Sequence, residues 1–201
     1  MMPIASGKSS CPLLTALRQG TGPCHRALEA RLPFFDERFD PPAYRRLVGA
    51  YYGFHAPLEQ ALAGFLPALD LQRRAKTSAL VVDLQNLGLT HAQIDALPLC
   101  PDLPQVTDQA QALGIMYVLE GSTLGGQVLK RAMAERLGIG AGNGGAFLDV
   151  YGPETGSLWR GFLQFLERAP ASPADQQRVA QAAIDTFTRF ERWLESREVL
   201  L

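Results

Sequence analysis

The sequence predicts a single all-α domain. Apolar residues recur at three- and four-residue steps along most of the chain, no stretch alternates with period two long enough for a strand, and proline-marked loops separate the periodic stretches. With 201 residues and no compositional break, the chain can bury one core without disulfide or metal staples. A polar tail, residues 1–11, is expected to be disordered, and residues 12–201 to form the domain. No internal repeat is visible.

Leu14, Leu17, Thr21, His25, Leu28 and Leu32 share one face of a first helix, expected from about residue 12 to about residue 31 and ending near Pro33. Pro23 predicts either a kink or a boundary between two shorter helices. A second helix follows Pro41 and Pro42, with Tyr44, Leu47, Tyr51, His55, Leu58 and Leu62 on its buried stripe; Pro57 argues against a straight rod. A third helical stretch is expected over about 72–87, and Thr90 caps a short fourth one beginning at His91. The segment PLCPDLPQ reads as a loop. From Thr107 to about Leu137 runs the longest periodic stretch, interrupted by GSTLGG. GIGAGNGGAFLDVYGPETGS is too rich in glycine to propagate a helix and is expected to be irregular. Two helices close the chain, one around Leu158 to Arg168 and one from about Ser172, where Ser-Pro is a helix start signal.

The balance of 19 basic and 20 acidic residues, net charge -1, provides no global basic field, which argues against nucleic acid or an anionic membrane as the main partner. The three cysteines, Cys11, Cys24 and Cys100, are odd in number and lack metal-finger spacing, which fits a reducing compartment. The amino terminus has no apolar core of signal-peptide length, and no apolar run approaches a bilayer span, so the expectation is a cytosolic protein.

His25 stands on an apolar stripe with Glu29 one turn later on the same side. An imidazole that ligates a metal needs an acceptor for its other N–H, and Glu29 is placed to be one. The same pattern suits a core histidine satisfied by a carboxylate. His55 also lies on an apolar stripe, so periodicity does not choose between them, whereas His91 reads as an exposed first-turn residue. In YVLEGSTLGGQVLK, Gly121, Gly125 and Gly126 fall inside a helical pattern, where each costs roughly 1 kcal/mol relative to alanine. Two gains can offset that cost. One is a backbone that kinks and lies flat against a planar ligand; the other is close helix packing through small residues. Arg18, two turns before His25, can reach a carboxylate at the edge of a group held there, or simply face solvent. Arg160 and Lys130 are further candidates of the same kind. GIGAGNGG follows no strand and lacks the lysine and hydroxyl of a phosphate loop, and is expected to be a flexible connection. There is no zinc-protease helix, no G-x-S-x-G elbow and no paired Glu-x-x-His of the di-iron bundles.

Taken together, LRQGTGPCHRALEA, YVLEGSTLGGQVLK and SPADQQRVAQAAIDTFTRFERWL resemble the haem oxygenase family, specifically its bacterial, bacteriophytochrome-associated, biliverdin-producing branch. The resemblance runs from about Leu13 to about Leu194. It implies a multi-helix bundle with haem sandwiched between a proximal and a distal helix. It implies His25 as the iron ligand, Glu29 as the carboxylate behind it, and Gly121, Gly125 and Gly126 as the distal backbone. Arg18 matches a propionate-holding position and Phe187 an aromatic of the haem wall. Ser122 departs from the aspartate that many members place there to organise distal waters, and the expectation is that Ser122 or Thr123, helped by His55, supports them instead.

The implied reaction cleaves haem, with O2 and external electrons, to biliverdin, CO and ferrous iron. No dinucleotide or flavin fingerprint is present, so a separate ferredoxin, flavodoxin or reductase is the expected donor, docking through Arg and Lys around the haem edge. A phytochrome is a possible acceptor of the bilin. Two rivals stay open at this point: a non-catalytic haem carrier or sensor using the same pocket, and a helical enzyme of the related thiaminase-like fold that has no use for His25.

Overall fold

A computed structural model describes residues 11–169 and 172–201. Apart from Cys11, the expected disordered tail lies outside them. Seven α-helices are described: α1 Pro12–Arg31, α2 Pro41–Leu62, α3 Thr77–Asn86, α4 His91–Asp95, α5 Gln109–Leu137, α6 Thr155–Glu167 and α7 Pro173–Ser196. Three single 3-10 turns accompany them, at Pro33–Phe35, Phe147–Asp149 and Gly152–Glu154, and no strand occurs among the described residues.

Local capping chemistry sets most helix starts. The Asp40 carboxylate accepts the Ala43 N–H at 2.8 Å and the Asp108 carboxylate the Gln111 N–H at 2.8 Å, opening α2 and α5. Thr90 and Gln93 form a reciprocal capping box, and Ser172 caps α7 with Pro173 in its first turn. Gly138, at φ 67°, ends α5 in the left-handed conformation that glycine adopts without cost.

Four expectations are corrected. Of the two readings of Pro23, the boundary between two shorter helices is overturned, since α1 is one helix from Pro12 to Arg31. The third helix begins at Thr77, because its first-turn donors are met by a carboxylate from α2: Glu59 accepts the Lys76 N–H at 2.7 Å and the Thr77 N–H at 3.2 Å. α5 continues through GSTLGG without interruption, its glycine cost offset by packing along its length. The glycine-rich connection is tied down rather than loose: Tyr44 Oη donates to the Gly144 carbonyl at 2.8 Å, and Asp83 accepts the Ala146 and Phe147 N–H groups at 2.7 and 2.8 Å.

α7 packs along both α5 and α1, and α2 lies against α3. At the α5–α7 crossing a β-carbon on Gly114 would collide with the Val179 carbonyl, so that glycine sets the helix separation. The predicted stripe of α2 is buried throughout, from Tyr44 to Leu62. Between α1 and α5 the packing opens into a slot.

Candidate functional site

A cavity of about 380 Å³ separates α1 from α5, with α7 and the Phe147–Asp149 turn closing its depth. Of the candidate residues, Arg18, His25, Glu29, His55, Gly121, Ser122, Thr123, Gly125, Gly126 and Phe187 all line it. Arg160 does not: it is exposed on α6, whose neighbouring Trp159 enters the wall in its place. Lys130 is held at the surface by Asp149, Nζ to carboxylate 2.6 Å.

On the α1 side, His25 is 53% exposed, which rules out the reading of it as a satisfied core histidine. Its Nδ1 lies 3.4 Å from the Glu29 carboxylate one turn on, and Phe187 from α7 meets the ring edge-on at a centroid distance of 5.6 Å. A carboxylate beside Nδ1 favours the proton there and leaves Nε2 as the ring's acceptor. Arg18 is exposed at the rim, close enough to Tyr117 on α5 to oppose the upward pull of burial on that phenol.

On the α5 side the three glycines differ. A β-carbon on Gly126 would stand 2.7 Å from the Leu148 carbonyl oxygen, so this glycine is needed for close packing. A β-carbon on Gly121 would make an ordinary 3.8 Å contact with Trp159. Around Gly125 nothing comes within 4 Å of that position, and its main chain is bare to the slot. Ser122 Oγ donates to the Leu119 carbonyl at 2.9 Å and Thr123 Oγ1 to the Glu120 carbonyl at 2.7 Å. Each hydroxyl therefore retains only acceptor capacity for anything in the cavity.

The depth of the cavity is aromatic: Tyr51, Phe54, Phe147 and Phe190 surround His55. His55 is 4% exposed, and burial depresses the basicity of its ring against the opposing pull of Glu59.

At the cavity wall, with Lys76 among the lining residues, lies a buried charge cluster that the sequence reading did not single out. Glu120, wholly buried, accepts Lys76 Nζ at 2.8 Å and Tyr151 Oη at 2.7 Å on one oxygen and the Arg74 guanidinium on the other. Lys76, 1% exposed, also donates to the Arg74 carbonyl at 2.9 Å and to Tyr151 Oη at 2.9 Å, which fills its three donor positions. Burial and then the Glu120 charge push the Tyr151 phenol far up, so it stays protonated and donates. The cluster clamps the 72–76 turn, α5 immediately before Gly121, and the residue-151 segment together. Its trace in the sequence is a carboxylate ending the apolar run ALGIMYVL.

A family model described as "Heme oxygenase" matches residues 11–196. The protein named "Heme oxygenase PigA" from Pseudomonas aeruginosa is 32% identical over 179 residues, 85% of each chain. A "Heme oxygenase" from Xanthomonas campestris is 28% identical over 77% of this chain and 90% of its own. Among solved structures, heme oxygenase from Leptospira interrogans superposes with a TM-score of 0.77 at 21% identity, over 92% of this chain and 98% of its own. Heme oxygenase-1 from the cyanobacterium Synechocystis, solved in complex with heme, gives 0.72 at 19% identity, over 92% of this chain and 91% of its own.

Proposed function

The chain belongs to the haem oxygenase family, and from that premise we propose that the slot between α1 and α5 takes haem edge-inward, with His25 as its axial ligand. The protein cleaves haem oxidatively; the carrier reading is not favoured by a family and relatives of this description. The products proposed are biliverdin, CO and ferrous iron, with O2 as oxidant. When bound, haem supplies both the iron that activates O2 and the ring carbon that is attacked.

One observation carries the assignment of the slot. A half-exposed imidazole with its Nδ1 against a carboxylate lines the same largely apolar cavity as the main chain of Gly125, where a β-carbon would meet no atom within 4 Å. A flat, largely apolar iron macrocycle with carboxylates on one edge fits that arrangement. Glu29 holds the His25 tautomer and Phe187 the ring plane. Arg18 at the rim is the guanidinium for a propionate. Gly125 lets the ring approach the helix main chain, and the aromatic depth excludes water from the enclosed edge. Ser122 and Thr123 accept, and His55 exchanges, the hydrogen bonds that bring protons into the distal space.

Electrons come in this reading from a separate ferredoxin, flavodoxin or reductase docking weakly at the rim. A phytochrome is proposed as a consumer of the bilin, on the sequence's resemblance to the phytochrome-associated branch alone. No helix of the described residues is long and apolar enough to cross a membrane.

The test is the haem complex supplied with a reduced ferredoxin and O2. Loss of the Soret band, a broad red band and biliverdin on chromatography are expected. A persistent ferrous haem spectrum under the same conditions overturns the reading in favour of a carrier.

A further inference from the structure

His55 holds the one buried side-chain polar atom found without a hydrogen-bond partner among the described residues, its Nδ1. The ring lies in the cavity wall, so its protonation pattern bears on whatever occupies the cavity. One turn further along α2, the Glu59 Oε1 stands 3.8 Å from that nitrogen, too long for a direct hydrogen bond and short enough for strong electrostatic pairing.

Glu59 is not free to swing away. Its Oε1 accepts the Lys76 N–H at 2.7 Å, and its Oε2 accepts the Thr77 N–H at 3.2 Å and the Thr77 hydroxyl at 2.6 Å. Burial alone raises the pKa of this carboxyl, but His55 and these donors outweigh it and bring it to about 2. The group facing His55 is thus a fixed carboxylate that only accepts. A lone pair on Nδ1 pointing at it is repulsive; an N–H is attractive.

The other charged group acting on the ring is Lys76, from the segment before α3, whose ammonium is turned onto Glu120 of α5. The remaining neighbours are the Tyr51 phenol on the same helix and the uncharged Phe54, Phe147 and Phe190.

We propose that Glu59 is a positioning residue for haem cleavage: it fixes His55 with the proton on Nδ1 and leaves Nε2 as a proton acceptor in the cavity wall. Nε2 takes a proton from a donor in the cavity, the ring becomes imidazolium against the ionised Glu59, and the same proton is returned. The carboxylate stays ionised throughout, as a buried partner of histidine does when it sets tautomer and orientation. The proposal rests on the cavity being the haem site, and its test is chosen to separate the two ideas.

The chain has three histidines, His25, His55 and His91, so long-range nitrogen–proton NMR of the ligand-free protein resolves each ring. His55 is expected with Nδ1 protonated and Nε2 unprotonated. Glu59→Gln, which places an amide N–H where a lone pair stood, is expected to shift the population toward the opposite tautomer. In the haem complex the same variant is expected to move the acid limb of the turnover pH profile by about one unit while leaving haem affinity within twofold. Wild-type His55 found protonated on Nε2 overturns the proposal from the native protein alone, whatever the stability of the variant. An unchanged pH profile in a folded, haem-binding Glu59→Gln also overturns it. Failure of wild type to bind haem, with the tautomer as expected, instead removes the reading of the cavity and spares the His55–Glu59 pair.

Discussion

Gly125 and Gly126 are neighbours in one helix, yet the structure assigns them opposite costs. In the ligand-free protein Gly125→Ala adds a methyl to open space. The change gains roughly 1 kcal/mol of helix propensity, which for a chain of this size raises Tm by about 2–4 °C. With haem in the slot the same methyl stands between ring and main chain, an overpacking cost of about 1–3 kcal/mol, or roughly 5- to 150-fold in Kd. Gly126→Ala does the reverse. Its β-carbon meets the Leu148 carbonyl at 2.7 Å, and the adjacent Phe147 N–H is tied to Asp83, so the turn cannot simply retreat. A cost of the same 1–3 kcal/mol, less about 1 regained in propensity, appears in the apoprotein itself. Thermal unfolding of the apoproteins and haem titration of each variant measure both quantities. If Gly125→Ala destabilises the apoprotein while binding haem as wild type does, the slot is not where haem lies and the reasoning fails.

Other outcomes follow from the charges. Glu120→Leu leaves Arg74 and Lys76 buried without their carboxylate and is expected to cost about 3–5 kcal/mol in urea unfolding, more than Lys76→Met, which leaves Arg74 to pair Glu120; the reverse order contradicts the pairing. Because the folded-state pKa of Glu59 lies near 2, below the ordinary glutamate value of 4.5, its contribution is complete above about pH 4.5 and fades as pH falls toward 2. It amounts to at most about 3 kcal/mol, so the acid side of a stability-against-pH curve is expected to flatten in Glu59→Gln. Arg18→Ala is expected to weaken haem binding by about tenfold, in line with loss of one charged hydrogen bond, while Arg160→Ala leaves it unchanged; equal effects contradict the placement of Arg18 alone at the rim.

Helix starts were legible wherever the cap is local. Thr90, Ser172 and Pro173 announce α4 and α7 because donor and acceptor lie within one turn of sequence. The start of α3 was not, since Glu59 reaches it from 17 residues away. The glycines suggested an interruption of α5 that tertiary packing cancels, and periodicity had no means of showing that Gly126 serves a neighbouring turn while Gly125 faces a void. His25 and His55 were indistinguishable as members of apolar stripes; only burial separates the one that opens to the slot from the one enclosed by aromatic rings. Glu120 of α5 meets Arg74 and Lys76 of the 72–76 turn across a sequence separation of 46 and 44 residues, a coincidence no local pattern encodes.

The axial ligand is the sharpest point of test. Visible and paramagnetic-resonance spectra of the ferric haem complex are to be compared for wild type, His25→Ala, and His25→Ala with added imidazole. A histidine-ligated spectrum in wild type, its loss in the variant together with turnover, and recovery of the spectrum with imidazole are expected. A His25→Ala complex that keeps the wild-type spectrum and still degrades haem contradicts the account.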